Sequence, residues 1–400
     1  MKKHQIASNI QWYLDTPSTL SVKDYQLAQY LHHDHHSAPM LSQKQSVAWM
    51  DEADKWSDVI NGPIIHVGHG GSVLGPKCLA TAFSSLRTPK HELYFWSTPD
   101  QRCKQLQRLF HDKTTSVIFV SKSMTTDELL TQKAIIDHHI DVTRQFIVTA
   151  DPKKALNMGF LATHIIVFPN WVSGRFSVWG ATSTSIYLGW GRPWMQEWLN
   201  GAKEMDLTIC YEKPQWFHQW VIQSLEKKTY FIALYGKPFA NFIPYIQQVM
   251  METLGKFYAK SGDKNYFFQY VLGDIGPDFQ HASLQLLTSD IADNPIDIWV
   301  EGDQHSLARL AYAQALGLRF GGDQCRENKC VSLGIISSLT PHAIGAMMTM
   351  YELKALALAE HYQLDPFNQP GVALGKSLLA KTSIDKHFDD YLCQISEAKS

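Results

Sequence analysis

Ser116-Val117-Ile118-Phe119-Val120-Ser121-Lys122-Ser123-Met124-Thr125-Thr126-Asp127-Glu128 is the stretch whose reading decides the fold. Val117 to Val120 is a continuous apolar, β-branched run, the length and composition of a strand buried on both faces. It stops abruptly: Ser121, Lys122, Ser123, Thr125 and Thr126 place hydroxyls and an ammonium directly before Asp127 to Ile136, which reads as helix. A strand that ends in hydroxyls at a helix N-terminus suits an anion, because the first helical turn leaves backbone N–H groups without partners. The helix dipole adds only about 0.3–1 kcal/mol. Hydrogen bonds to a charged group contribute about 1.5–3 kcal/mol each and would carry most of the affinity. The same residues also form the ordinary N-cap set, so a plain helix cap stays open on this stretch alone.

Outward from this strand the pattern repeats. Pro63 to Val67 reads as a short buried strand, followed by Gly68-His69-Gly70-Gly71-Ser72-Val73-Leu74-Gly75-Pro76-Lys77. Two nucleotide motifs fail here. The third glycine of G-x-G-x-x-G would fall at Val73, and a P-loop needs Gly-Lys-Ser/Thr where Gly75-Pro76-Lys77-Cys78 stands. The turn brings backbone close to something other than a dinucleotide, or is simply tight. Glu92 to Trp96, Phe146 to Ala150 and His164 to Pro169 also read as strands, separated by segments long enough for crossover helices. Such alternation predicts a parallel sheet covered on both faces, with ligands beyond the carboxyl ends of its strands. Asn170-Trp171-Val172-Ser173-Gly174-Arg175-Phe176-Ser177 lies at such an end, where Arg175 either faces the same crevice or pairs with a surface carboxylate.

Near residue 200 the pattern restarts, with strands at Thr229 to Gly236, Tyr266 to Val271 and Ile296 to Val300 and helix from Ser306 to Leu316. The fold class is therefore α/β, two doubly wound αβα sandwich domains with mostly parallel sheets, over residues 45–200 and 201–362. Leu20, Leu27 and Leu31 at near-helical spacing predict an N-terminal helical arm over residues 1–44, ending in His32-His33-Asp34-His35-His36. Adjacent residues do not face one another on a helix, so that cluster reads as a solvated helix end rather than a metal site. Residues 363–400 form a C-terminal segment with a helical tail.

Three further stretches carry candidate chemistry. On the helix read at Ile243 to Lys256, Gln248 and Glu252 are four apart and share a face, with Tyr245, Val249 and Met251 as mostly apolar packing. A carboxylate in that company suits a general base or caps a helix end. Gly273 to Leu287 reads as a strand-end loop entering a helix near Gln280-His281, where His281 is either catalytic or structural. Lys376, after Gly375, is a working ammonium or an exposed helix lysine. Met347, Met348 and Met350, on a helix read from Pro341 to Tyr362, are core filler.

Composition narrows the function classes. Lys plus Arg number 36 against 38 acidic residues, a net charge of −2, so no overall field draws the chain to nucleic acid or an anionic membrane. Residues are 45% hydrophobic and 18% charged, a globular composition, and no apolar run approaches a membrane span. The basic start Met1-Lys2-Lys3 is followed by no apolar core, so no secretory signal is expected and the cytoplasm is. Six cysteines without C-x-x-C spacing predict reduced, mostly buried thiols.

In their order and wording these stretches resemble the glucose-6-phosphate isomerase (phosphoglucose isomerase) family, built from two sugar isomerase (SIS) domains; the match is collinear from about residue 63 to 380. Gly70-Gly71-Ser72-Val73-Leu74-Gly75-Pro76 is similar to its Gly-Gly-Ser-x-Leu-Gly-Pro turn, and Ser121 to Thr126 to its Ser-Lys-Thr-Phe-Thr-Thr phosphate loop. Gly174 to Ser177 resembles Gly-Arg-Tyr/Phe-Ser, and Gln247-Gln248 through Met251-Glu252 to Gly255-Lys256 resembles Gln-Gln-x-x-Met-Glu-Ser-Asn-Gly-Lys. Gln280-His281-Ala282 is similar to Gln-His-Ala/Ser, and Phe367 to Lys376 to Phe-Asp-Gln-Trp-Gly-Val-Glu-Leu-Gly-Lys. Ser173, Thr253-Leu254, Phe279, Pro370 and Ala373 depart from the family's usual residues without removing any of these side chains.

The resemblance implies reversible isomerisation of glucose 6-phosphate and fructose 6-phosphate through a cis-enediol, in glycolysis and gluconeogenesis. It implies Glu252 as base, Arg175 stabilising the enediolate, and His281 with Lys376 opening the sugar ring. Ser121, Lys122, Ser123 and Thr126 would hold the phosphate, and Gly71, Ser72, Gln248 and Gln369 the sugar. It implies no cofactor or metal, and a homodimer in which His281 reaches the partner's site. A bifunctional phosphoglucose/phosphomannose isomerase is one alternative. A non-catalytic SIS-type sugar phosphate sensor is the other, needing the phosphate loop but not Glu252, His281 and Lys376 together.

Overall fold

A computed structural model describes residues 1–7, 9–14, 26–28, 47–100, 103–289, 294–327 and 330–371. Met1–Pro366 forms one compact unit; Phe367–Ser400 forms a second, of which residues 367–371 are described. The first unit is α/β, and its described residues contain two sheets.

The strand read at the outset is central to the first sheet. β1 (Lys2–Ala7) and β2 (Ile10–Leu14) come first in the chain but belong to the second sheet. β3 (Ile64–Gly68), β4 (Leu93–Trp96), β5 (Ser116–Val120), β6 (Gln145–Thr149) and β7 (Ile165–Val167) lie side by side in the order β4-β3-β5-β6-β7, all parallel. Every residue of β3, β5 and β6 is buried, as expected of mostly apolar strands covered on both faces. Leu106, Leu109, Phe119, Leu129, Ile136 and Ile147 are part of the core on this sheet.

β8 (Thr229–Tyr235), β9 (Tyr270–Gly276), β10 (Ile296–Glu301) and β11 (Val331–Ile336) make the parallel part of the second sheet, whose order is β1-β2-β11-β10-β8-β9. Two expectations change here. The first 14 residues are not helical arm: β1 and β2 form an antiparallel hairpin, and β2 pairs antiparallel with β11, Leu14 opposite Ser332 and Ile10 opposite Ile336. The period-two alternation Ile10, Trp12, Leu14, all buried, drives this, and Trp12 lodges against Trp220 and Trp299. Leu27 is buried, whereas Leu20, Leu31 and the His32–His36 cluster lie outside the described residues. The strand expected at Tyr266 to Val271 instead runs Tyr270–Gly276. Tyr266 and Phe268 are exposed aromatics outside the ladder, while Gly276 pairs with Tyr235 because a Cβ there would sit 2.6 Å from the tyrosine ring.

Met347, Met348 and Met350 are fully buried in the helix Pro341–His361, as read. Of the described cysteines Cys78 and Cys210 are buried, Cys330 is half-buried and Cys103 and Cys325 are exposed, so the thiols are less uniformly interior than expected. No helix among the described residues is long and apolar enough to cross a membrane.

Candidate functional site

The first component is the turn after β3. His69 and Gly70 lead into the helix Gly71–Leu86, with Gly70 at φ 55°, and Gly71 meets the loop that carries Arg175. A Cβ on Gly71 would stand 1.9 Å from the Gly174 carbonyl oxygen and 2.8 Å from the Arg175 nitrogen, so only glycine lets these two backbones touch. From inside the sheet His66 steadies the turn. Its Nε2 donates to the Ser72 carbonyl at 2.7 Å, which leaves Nδ1 to accept from the Ser185 hydroxyl, also at 2.7 Å. Complete burial pushes this imidazole down to about 4, so it is neutral.

The second component follows β5. Gly68 pairs with Val120, so the glycine turn and the Ser121–Thr126 turn leave neighbouring strands, roughly 4.8 Å apart, at the same edge of the sheet. Ser121 Oγ accepts from the Met124 amide at 3.0 Å, folding the turn back with Met124 at φ 50°, and the Ser123 and Thr125 hydroxyls lie 2.8 Å apart. Thr126 is the N-cap residue of the helix Asp127–His139, yet its hydroxyl makes no capping bond. The cap alternative thus does not account for the hydroxyls. Lys122 donates to the Val172 carbonyl at 3.2 Å, tying this turn to the loop that carries Arg175, and partial burial lowers its pKa.

The third component is the pair that the sequence could only suggest. Gly174–Trp179 is a short helical segment in which Arg175 is 1% exposed. Its Nε donates to Glu252 Oε2 at 3.0 Å and its Nη1 to the Pro366 carbonyl. Burial pulls the guanidinium's pKa down and the Glu252 and Asp365 carboxylates oppose this. Glu252 lies near the end of the helix Phe242–Leu254, and its Oε1 accepts from Gln248 Nε2 at 3.2 Å, the two being four positions apart. The carboxylate is therefore not in purely apolar company. A Cβ on Gly70 would come within 3.1 Å of Gln248 Nε2, which brings the glycine turn to this pair as well.

Lys256 is a neighbour that motif reading did not single out. Its ammonium is buried and donates to the Glu252 backbone carbonyl; burial first, then repulsion from Arg175, push it down to about 8. Only the pairing Gly255-Lys256 hinted at it.

The structure thus joins Gly71, Ser72, Ser121, Lys122, Arg175, Gln248 and Glu252 in one connected region. His281 is not part of it: it lies on the short helix Phe279–Ala282 beyond β9, exposed, and its ring hydrogen-bonds to none of the described residues. Gln369 belongs to the second compact unit, and Lys376 lies outside the described residues.

A family model described as phosphoglucose isomerase matches residues 39–316 and 319–396. Glucose-6-phosphate isomerase of Burkholderia cenocepacia is 28% identical over 84% of this chain and 73% of its own length. That of Burkholderia mallei is 29% identical over 79% of this chain and 67% of its own. Among solved structures, a glucose-6-phosphate isomerase from Chlamydia trachomatis superposes with a TM-score of 0.78 at 20% identity, covering 94% of this chain and 81% of the other. Tagatose-6-phosphate ketose/aldose isomerase from Escherichia coli superposes with a TM-score of 0.55 at 12% identity, covering 85% and 96%. At such identities the two structures speak for the fold.

Proposed function

Because the chain belongs to the phosphoglucose isomerase family, we propose that it interconverts glucose 6-phosphate and fructose 6-phosphate, with Glu252 moving the proton between C2 and C1. The observation that carries this is the buried Arg175 guanidinium 3.0 Å from Glu252, on a loop that packs against the glycine turn and is tied by Lys122 to the hydroxyl-rich turn. Glu252 takes the C2 proton from the open-chain aldose and the C1 carbonyl oxygen becomes the enediolate oxygen; the C2 hydroxyl proton passes to that oxygen, and return of the Glu252 proton to C1, as the C2–O bond closes to a carbonyl, gives the ketose. Arg175 is a fixed cation beside the carbons between which that charge develops. The phosphate does not react. Its capture by Ser121, Ser123 and Thr126, with Lys122, supplies remote binding energy that positions C1 and C2 over the base. Gly71, Ser72 and Gln248 hold the sugar, a role that the family resemblance extends to Gln369.

Ring opening falls to His281 and Lys376. The exposed position of His281 is compatible with a homodimer in which it serves the partner's site. No cofactor enters the scheme, which belongs to glycolysis and gluconeogenesis in the cytoplasm.

The test is a coupled assay with fructose 6-phosphate, with mannose 6-phosphate offered in parallel, followed by Glu252→Gln. Glutamine keeps an acceptor for Arg175, so sugar phosphate affinity is expected to persist while exchange of the C2 proton with solvent falls about 10²–10⁴-fold. Undiminished exchange removes Glu252 from the base role.

A further inference from the structure

The proposed reaction needs Arg175 and Glu252 in fixed register, yet they stand on different elements, the segment Gly174–Trp179 and the helix Phe242–Leu254. Away from the ion pair, a buried carboxylate touches both. Glu352, in the middle of the helix Pro341–His361, is completely buried. Its two oxygens accept from Trp179 Nε1 at 2.9 and 2.8 Å, and Oε1 also accepts from the Tyr245 hydroxyl at 2.7 Å. Trp179 ends the segment that bears Arg175 and stacks on Trp198 with ring centroids 4.5 Å apart. Tyr245 lies about two turns before Glu252 on the same helix, hence on nearly the same face. Resting on the reading given above, we infer that Glu352 is a positioning residue, a buried clamp that sets the register of Arg175 against Glu252.

Stability does not account for such a group, since an apolar side chain of similar volume is often as stable there as a buried charge. What a carboxylate adds is direction. It holds an indole N–H and a phenol O–H at defined points, and so fixes the elements that carry them. Misplacing reacting groups by about 1 Å can cost roughly 10²-fold in rate, which is the size of effect such a clamp protects.

Glu352→Leu and Glu352→Gln in the full chain test this through steady-state kinetics with fructose 6-phosphate and through backbone hydrogen exchange. The leucine variant is expected to lose about 10²-fold in kcat with KM changed less than about threefold. Glutamine keeps the acceptor for Trp179 and is expected to restore at least about tenfold of that loss. Exchange protection is expected to fall over Gly174–Trp179 and Phe242–Leu254 while β5 and β6 keep theirs. Should the leucine variant not fold, Trp179→Phe and Tyr245→Phe each remove one donor while keeping a ring, with an expected loss of about tenfold in kcat each. Unchanged kcat, or protection lost equally in β5 and β6, overturns the clamp. If the wild-type chain does not isomerise fructose 6-phosphate, the functional reading fails, and the exchange pattern by itself decides for or against Glu352.

Discussion

Arg175 and Glu252 are 77 positions apart and meet as a pair with the guanidinium fully withdrawn from water. Deleting one partner of such a pair strands the other charge, at a cost of about 3–5 kcal/mol. Glu252→Ala should therefore lower stability by roughly that amount in denaturant unfolding, and Glu252→Gln, which keeps a carbonyl for Arg175, by clearly less. Equal losses would show that the pair contributes little. His66 gives a second residue-scale expectation, in pH. Its folded-state pKa of about 4 lies below the ordinary 6.5, so the unfolded chain binds the proton more readily and acid favours unfolding. Its contribution is complete above about pH 6.5 and is lost as pH falls toward 4, roughly 3 kcal/mol in all. His66→Gln cannot take up this proton, so its stability should be flatter across that window; parallel curves would contradict the assignment. The contacts of His66 were not legible beforehand, and for Arg175 and Glu252 only the family resemblance put both at one site. The sequence shows His66 as one residue of a strand, and nothing in it says that the Ser72 carbonyl turns back to meet the ring. Likewise Glu252 reads as a helix carboxylate until the Arg175 loop is folded against it.

Elements were more legible than partners. β3, β5 and β6 were found nearly at their observed bounds, because burial on both faces gives each a run of mostly apolar residues. β11 was missed, a buried run interrupted by Ser332 and Gly334, and β9 was displaced because exposed aromatics imitate a strand while its own glycines imitate a loop. Turns were legible by composition and not by contact. The glycine turn is the sharpest case: its Gly-Gly-Ser wording suggested close approach to a ligand, whereas Gly71 first of all admits the Gly174 backbone. Gly71→Ala should force the two loops apart, costing about 1–3 kcal/mol as overpacking does. Thermal unfolding would register it, and kcat/KM for fructose 6-phosphate should fall with it. An alanine variant of wild-type stability and rate would mean that the turn moves freely.

At the scale of the whole molecule, alternation along the chain was enough to give two sheets and a mostly parallel α/β fold, but not the strand that crosses from the N-terminus. Only the period-two pattern in Ile10–Leu14 marked it, a signal of five residues that is easily read as part of a helix. Trp12, fully buried between Trp220 and Trp299, is what this crossing brings. Trp12→Ala should cost about 3–5 kcal/mol in denaturant unfolding, more than any surface change on the hairpin. A loss below about 1 kcal/mol would make the hairpin an ornament of the second sheet rather than a part of it.

The hairpin also fixes a schedule. Asn9 hydrogen-bonds to Ser338, 329 positions further along. At a synthesis rate of about 5–20 residues per second, β2 waits tens of seconds for β11, its second neighbour in the sheet. For most of that interval the Trp12 indole lacks the Trp220 and Trp299 rings that cover it, so during translation this ribbon offers an uncovered apolar face to a chaperone.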